Sequence, residues 1–297
     1  MNSASNDAFK AALAQAALRT EACLDDVLPA EEDGQVAAAM RHATLNGGKR
    51  LRAFLVLEGA RLFNVPDVQA ARAAAAIECL HAYSLVHDDL PAMDDDALRR
   101  GKPTVHVKWD EATAILTGDA LQTAAFEVLA HPRTAQDPSI RLKLISQLAR
   151  ASGVHGMVGG QELDLAAETS GEPLTLEGIT DLQAKKTGAL IHWAAEAGPI
   201  LGKSDVGPMN AFAKNLGLAY QIHDDILDVT GDAAAAGKRL RKDEEAGKAT
   251  FVSLLGLEAA QQVAAGLIDK ACDALAPYSS AGDNLRACAR YVITREK

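Results

Sequence analysis

Apolar and small residues recur at three- and four-residue spacing along most of this chain, and the breaks between the runs are those of helices. Asn6 and Asp7 can cap a first helix that runs to about Val27, ahead of Pro29. A second is expected over about Asp33 to Leu45, stopped by Gly47 and Gly48, and a third over Arg50 to Phe63. Pro66 suits the first turn of a long helix, because residues 67 to 90 contain neither Gly nor Pro. That stretch, DVQAARAAAAIECLHAYSLVHDDL, is apolar or small on most faces in its middle, which predicts a central, buried helix. Pro91 ends or kinks it, and Asp94 to Pro103 reads as a polar loop. Further helices are predicted over 110–130, 139–152, 155–168, 176–200, 208–228, 250–275 and 283–295, with a loop rich in Gly, Lys, Asp and Glu over 229–249. No segment sustains strand alternation and no Gly-, Ser- or Pro-rich linker divides the chain. The expectation is one all-α domain over 1–297.

Composition narrows the class. With 297 residues, 48% hydrophobic and 24% charged, the chain can bury a sizeable core and is not a disordered tract. A net charge of −10 argues against a general nucleic-acid binder, which would rest on surplus Lys and Arg. The four cysteines, Cys23, Cys79, Cys272 and Cys288, form no CxxC pair and no Cys-His cluster, so they read as buried thiols in a reducing compartment. The amino terminus has neither a basic start nor an apolar core, and eighteen apolar residues nowhere run together, so the expectation is a cytoplasmic protein without a membrane span.

One internal echo carries chemistry. His87-Asp88-Asp89-Leu90 recurs as His223-Asp224-Asp225-Ile226, each near the end of a predicted long helix, and each is followed by a further acid, Asp94 or Asp228. Asp224 and Asp228 are four apart and project from one helix face, whereas Asp94 must return from the turn after Pro91. Crowded carboxylates beside apolar helix raise one another's pKa, and divalent cations relieve that cost. Hard oxygen ligands offered one or two at a time, completed by water and phosphate, describe Mg²⁺ sites. A single such motif is more often a solvated helix end; two copies point to metal. Basic residues answer them in four clusters: Gly47 to Arg52, Arg99 to Lys102, Lys185 to Gly188, and Lys238 to Lys242 with Lys248. Each alone would be a surface patch. Together they suggest one diphosphate bound through metal and a second bound by cations alone. No nucleotide-binding glycine loop is present.

These residues together resemble a trans-isoprenyl diphosphate synthase, most like the short-chain bacterial farnesyl type. GGKRLR near residue 50, IECLHAYSLVHDDLPAMDDDALRRGKPTVH at 77–106, KTGAL at 186–190, YQIHDDILDVTGD at 220–232 and GKATF at 247–251 stand in that family's order across nearly the whole chain. The resemblance implies a single large helical bundle of the isoprenoid synthase type with a central substrate cavity. It implies several Mg²⁺ ions, held by Asp88, Asp94 and Asp224 with Asp89, Asp225 and Asp228 in support. Arg99, Lys186, Lys238 and Lys248 would serve the allylic diphosphate. Lys49, Arg52, His81 and Arg100 would bind isopentenyl diphosphate, and Thr187 and Gln221 would sit near the developing cation. Tyr83 and Ser84, one turn below Asp88, would form the floor that limits chain length, and the family's usual homodimer is expected.

Some positions qualify that reading. Arg241 stands where a glycine is common, which bears on the roles of Lys238 and Lys242, and His223 replaces a residue that is often Gln or Arg. A lone histidine such as His81, or a tyrosine such as Tyr83, is otherwise ordinary core packing, and Lys185 fits a plain helix surface. Geranylgeranyl or geranyl diphosphate synthesis is the nearest alternative activity. A terpene cyclase would want more aromatic faces than six Phe, four Tyr and two Trp supply. A metal-dependent phosphohydrolase would use His87 and His223 as direct ligands, and a cation-binding helical scaffold would turn over nothing.

Overall fold

The computed structural model describes residues 3–169, 173–230 and 249–295. Its frame is fourteen α-helices among the described residues: α1 Ser3–Val27, α2 Gln35–Thr44, α3 Leu51–Leu62, α4 Asp67–Asp88, α5 Val105–Lys108, α6 Glu111–Ala130, α7 Pro138–Ser152, α8 Met157–Thr169, α9 Leu176–Gln183, α10 Ala189–Leu201, α11 Gly207–Thr230, α12 Phe251–Leu255, α13 Leu257–Ala274 and α14 Asp283–Val292. The helix starts follow from local chemistry. The Asp110 side chain accepts from Thr113 N at the head of α6, and Thr250 accepts from Ser253 N at the head of α12.

α4 is the central helix, as its composition predicts. Ala73 to Ile77, Cys79 and Leu80 are all fully buried, and small side chains let α3 and α6 pack closely along it. α10 packs against α3, α7 and α11, and α11 lies along α13. The main core gathers aliphatic residues from α3, α4, α6, α10 and α11 with Phe9, Phe54 and Phe212. Among the described residues, no helix is long and apolar enough to cross a membrane.

Three departures from the expected pattern matter for the site. The 94–103 loop contains a two-residue ladder, Leu98 opposite Pro103 and Arg99 opposite Lys102, closed by Arg100 and Gly101 at φ 52° and 76°. Strands of two residues leave too short an alternation to see in sequence. The expected 176–200 helix is interrupted by one π-helical turn, Ala184–Gly188. Gly256, at φ 81°, splits the expected 250–275 helix into α12 and α13.

Candidate active site

The first acidic motif sits where α4 stops. The Asp94 amide donates to the Asp88 carbonyl at 2.8 Å, so the chain turns back on itself and returns Asp94 beside Asp88, as the break at Pro91 requires. Burial, with the nearby Asp94 charge adding to it, raises Asp88 to about 6 despite the opposing pull of Lys186. Its Oδ1 accepts from Gln161 of α8 at 2.9 Å. Asp89 is almost fully buried and takes two hydrogen bonds from Arg99 Nε, at 2.7 and 3.0 Å; burial raises its pKa and the bonds from Arg99 work against that. Asp89 therefore positions Arg99.

The short ladder explains how adjacent arginines do different work. Arg99 lies in its first strand and turns to Asp89, while Arg100 occupies the left-handed turn and donates to the Gly47 carbonyl. Gly48 sits at φ 115°, a backbone conformation that favours glycine, and a Cβ there would lie 2.6 Å from the Arg100 guanidinium carbon and push that side chain aside. Next to it, Arg50 is buried at φ 52° and bridges Glu78 at 3.1 Å and Glu21 at 3.3 Å, while Glu78 also accepts from Ala53 N at 3.1 Å. Glu78 thus fixes the start of α3 and with it Lys49 and Arg52. Arg52 Nη1 meets His81 Nε2 at 3.4 Å. Burial, reinforced by the guanidiniums of Arg52 and Arg100, pushes His81 well below the usual histidine range, so it is a neutral ring facing cations.

The second motif is held differently. Asp224 Oδ1 pairs with Arg295 at 2.7 Å, and that guanidinium stacks 3.8 Å from the Tyr220 ring centroid. Asp225 is buried and accepts from Phe251 N at 2.7 Å and Gln221 Nε2 at 3.3 Å, which ties α11 to the start of α12. Asp228 is half-buried one turn beyond Asp224. The π-helical turn joins the two motifs. Lys186 Nζ pairs with Asp164 of α8 at 2.6 Å, and Thr187 donates to Gln221 at 3.3 Å. A Cβ on Gly160 would fall 2.2 Å from Lys186 N, so only glycine lets α8 approach this turn.

Among the described residues no three His, Cys, Asp or Glu side chains converge as a ready cation cage. The histidines of the repeated motif face elsewhere: His87 Nε2 meets the Ile115 carbonyl at 3.0 Å and His223 Nε2 meets the Arg295 carbonyl at 3.1 Å. This is poor geometry for a phosphohydrolase that ligates metal through both. Tyr83 is buried and stands edge-on to His87, with centroids 5.7 Å apart, and the Ser84 hydroxyl is tied to the His81 carbonyl. Lys49 is exposed, with its ammonium 5.8 Å from the Tyr291 ring centroid. Lys238, Lys248, Lys242 and Arg241 lie outside the described residues. The sequence reading missed Gln161, Asp164, Glu78 and Arg295. The first two were accessible as a polar pair three apart behind Gly159-Gly160, whereas Arg295 carries no local signal.

An all-α bundle that joins two aspartate motifs through a lysine-threonine turn and an arginine-rich loop is the architecture of the isoprenyl diphosphate synthases. The model of the polyprenyl synthetase family matches residues 33–279. The chain is 48% identical over 273 residues to the farnesyl diphosphate synthase of Escherichia coli (strain K12), which covers 88% of this chain and 90% of that one. It matches the crystal structure of an FPP/GFPP synthase from Zymomonas mobilis with a TM-score of 0.88 at 46% identity, covering 97% of this chain and 99% of that one. It also matches a geranyltransferase from Helicobacter pylori complexed with magnesium and isoprenyl diphosphate, with a TM-score of 0.84, 34% identity and 99% of each chain covered. The chain belongs to the polyprenyl synthetase family.

Proposed function

We propose that the protein is a Mg²⁺-dependent prenyltransferase that condenses isopentenyl diphosphate head to tail with dimethylallyl and then geranyl diphosphate, giving farnesyl diphosphate. The observation that carries this reading is that Asp88 of the first acidic motif feels the charge of Lys186, while Thr187, next in the chain, bonds Gln221, which bonds Asp225 of the second motif. The name of the 48% identical relative supports the C15 product, and the magnesium in the Helicobacter relative supports the metal.

The donor set fits magnesium. Asp88 and Asp94 on one side and Asp224 and Asp228 on the other are hard oxygen ligands, and burial, with the neighbouring carboxylates, raises Asp88 even against Lys186 and Arg99, a cost that a divalent cation would relieve. Ions held there by few protein oxygens would take the rest of their shell from water and diphosphate. Bound there, Mg²⁺ would neutralise charge on the departing diphosphate.

The chain's own residues do the rest. Lys186, aimed by Asp164, and Arg99, aimed by Asp89, donate to the allylic diphosphate as its carbon–oxygen bond breaks and the electron pair leaves with oxygen. Lys238 and Lys248 are assigned to the same group. Lys49, Arg52 and Arg100 hold the isopentenyl diphosphate, with neutral His81 orienting Arg52. Thr187 and Gln221 present oxygen dipoles to the allyl cation, and the apolar helices keep water from it until the isopentenyl double bond attacks. The departed diphosphate removes the final proton. Tyr83 and Ser84 close the floor. We assign one catalytic domain over 1–297, a cytoplasmic location and a homodimer.

The deciding experiment supplies Mg²⁺, isopentenyl diphosphate and dimethylallyl diphosphate, then sizes the dephosphorylated product by chromatography. A C15 alcohol is expected. No product would overturn the enzyme assignment, and a C20 product would overturn only the farnesyl assignment.

A further inference from the structure

Beside the π-helical turn a cavity of about 530 Å³ opens between α7, α10 and α11, and none of the aspartates of the two acidic motifs lines it. Ala184, Gly188, His192 and Glu196 line it at four-residue spacing, as one stripe of the same helical path whose neighbouring residues Lys186 and Thr187 serve the reaction site. Its size is that of a small-molecule site.

The lining has a definite charge. Arg150 of α7 and Lys214 of α11 border the cavity from different helices, and neither makes an ion pair among the described residues. The one carboxylate, Glu196, is already engaged by Asn210 Nδ2 at 2.6 Å and lies 4.0 Å from His192. Burial, with Lys214 adding to it, lowers the His192 pKa, so this ring supplies no charge to cancel or reinforce the pair. Alanine and glycine on α10 and α11 and the buried Trp193 make the floor apolar and flat.

We infer that this cavity is a second binding site, distinct from the reaction site, for a small organic anion with a flat apolar body. The anion would meet Arg150 and Lys214, and the body would lie on the Gly188 and Trp193 floor.

Trp193 is one of only two tryptophans, so Trp109→Phe leaves it as the sole fluorophore at the cavity wall. The probe is 1-anilinonaphthalene-8-sulfonate, which carries a sulfonate and a flat ring system. Titration into the full-length Trp109→Phe protein is expected to quench Trp193 saturably at one probe per chain. Combined Arg150→Glu and Lys214→Glu, both at exposed positions, should weaken that titration at least tenfold while the circular dichroism spectrum stays unchanged. Saturating Mg²⁺ and inorganic diphosphate should leave it unaltered. No saturable quenching, equal affinity in the charge-reversed protein, or displacement by Mg²⁺ and diphosphate would each overturn the inference.

Discussion

Arg295 and Asp224 form an ion pair at 2.7 Å in which the arginine is buried and the aspartate is still 41% exposed. The guanidinium is held by the Tyr220 ring and the Tyr220 carbonyl, while its own main-chain carbonyl meets His223. A side chain 71 residues further along the sequence thus supplies the counter-charge of Asp224 in the second acidic motif. A divalent cation arriving at Asp224 meets a guanidinium already there. Arg295→Gln should therefore tighten binding of Mn²⁺, used as a spectroscopic substitute for Mg²⁺, by about three- to tenfold, on the order of 1 kcal/mol. Electron paramagnetic resonance of free Mn²⁺ measures this without turnover, and unchanged or weaker binding would refute the competition.

Asp88 invites a test in the opposite sense, of stability against function. Its folded pKa of about 6 lies above the ordinary aspartate value of 3.8, so the folded state holds a proton more tightly than the unfolded chain. The contribution of this group to stability is then fully present below pH 3.8 and is lost as pH rises through about 6. In metal-free protein at pH 7, Asp88→Asn should be more stable than the parent by up to about 3 kcal/mol, a few degrees in Tm. The advantage should shrink as pH falls toward 4, and prenyl transfer should fall by at least 100-fold. Thermal unfolding in chelator at several pH values reads the first effect. A less stable variant at pH 7 would show that Asp88 is not strained by burial.

Much of the molecule was legible because the signals are local. Helix ends at Val27, Leu62 and Ser152 follow from Pro29, the residues before Pro66 and Gly153, and the all-small middle of α4 announced its burial. The acidic motifs and Lys186-Thr187 were readable from spacing and family order. The residues that aim them were less so. Glu78 was in plain view within a quoted motif, yet its role depends on Arg50 adopting a left-handed backbone 28 residues away. Arg295 reaches Asp224 across 71 residues, a pairing set by how α14 packs on α11 rather than by any periodicity. The π-helical turn likewise packs against a distant part of the chain, Gly160, which no local periodicity announces.

That contact can be tested by adding one methyl group. Gly160→Ala puts a Cβ into the Lys186 backbone, and either α8 or the π-helical turn must move. Overpacking of this kind costs about 1–3 kcal/mol. A shift of about 1 Å in Lys186 and Thr187 would lower kcat by up to about 100-fold. Gly266→Ala in α13, where the added Cβ meets nothing within 4 Å, is the matched control and should be neutral or more stable by about 0.5–1 kcal/mol. Equal kcat in the two variants would show that the π-helical turn does not need this spacing.

Tyr83 decides product length if the hydrocarbon grows down between helices from Asp88. It lies five residues before that carboxylate, is only 5% exposed, and is wedged against His87, whose ring is itself braced on the Ile115 carbonyl. A braced ring makes a firm floor, whereas an unbraced one would swing aside as the chain lengthens. Tyr83→Ala removes the ring and opens space below the motif, at a cost of about 3 kcal/mol or more from the lost packing. The variant should still turn over dimethylallyl and geranyl diphosphate but shift its main product from C15 to C20 or longer. His87→Ala, which keeps the tyrosine and removes its brace, should give a mixture of C15 and C20. Chromatography of the dephosphorylated alcohols resolves the three patterns. A C15 product from both variants would move the floor to other residues.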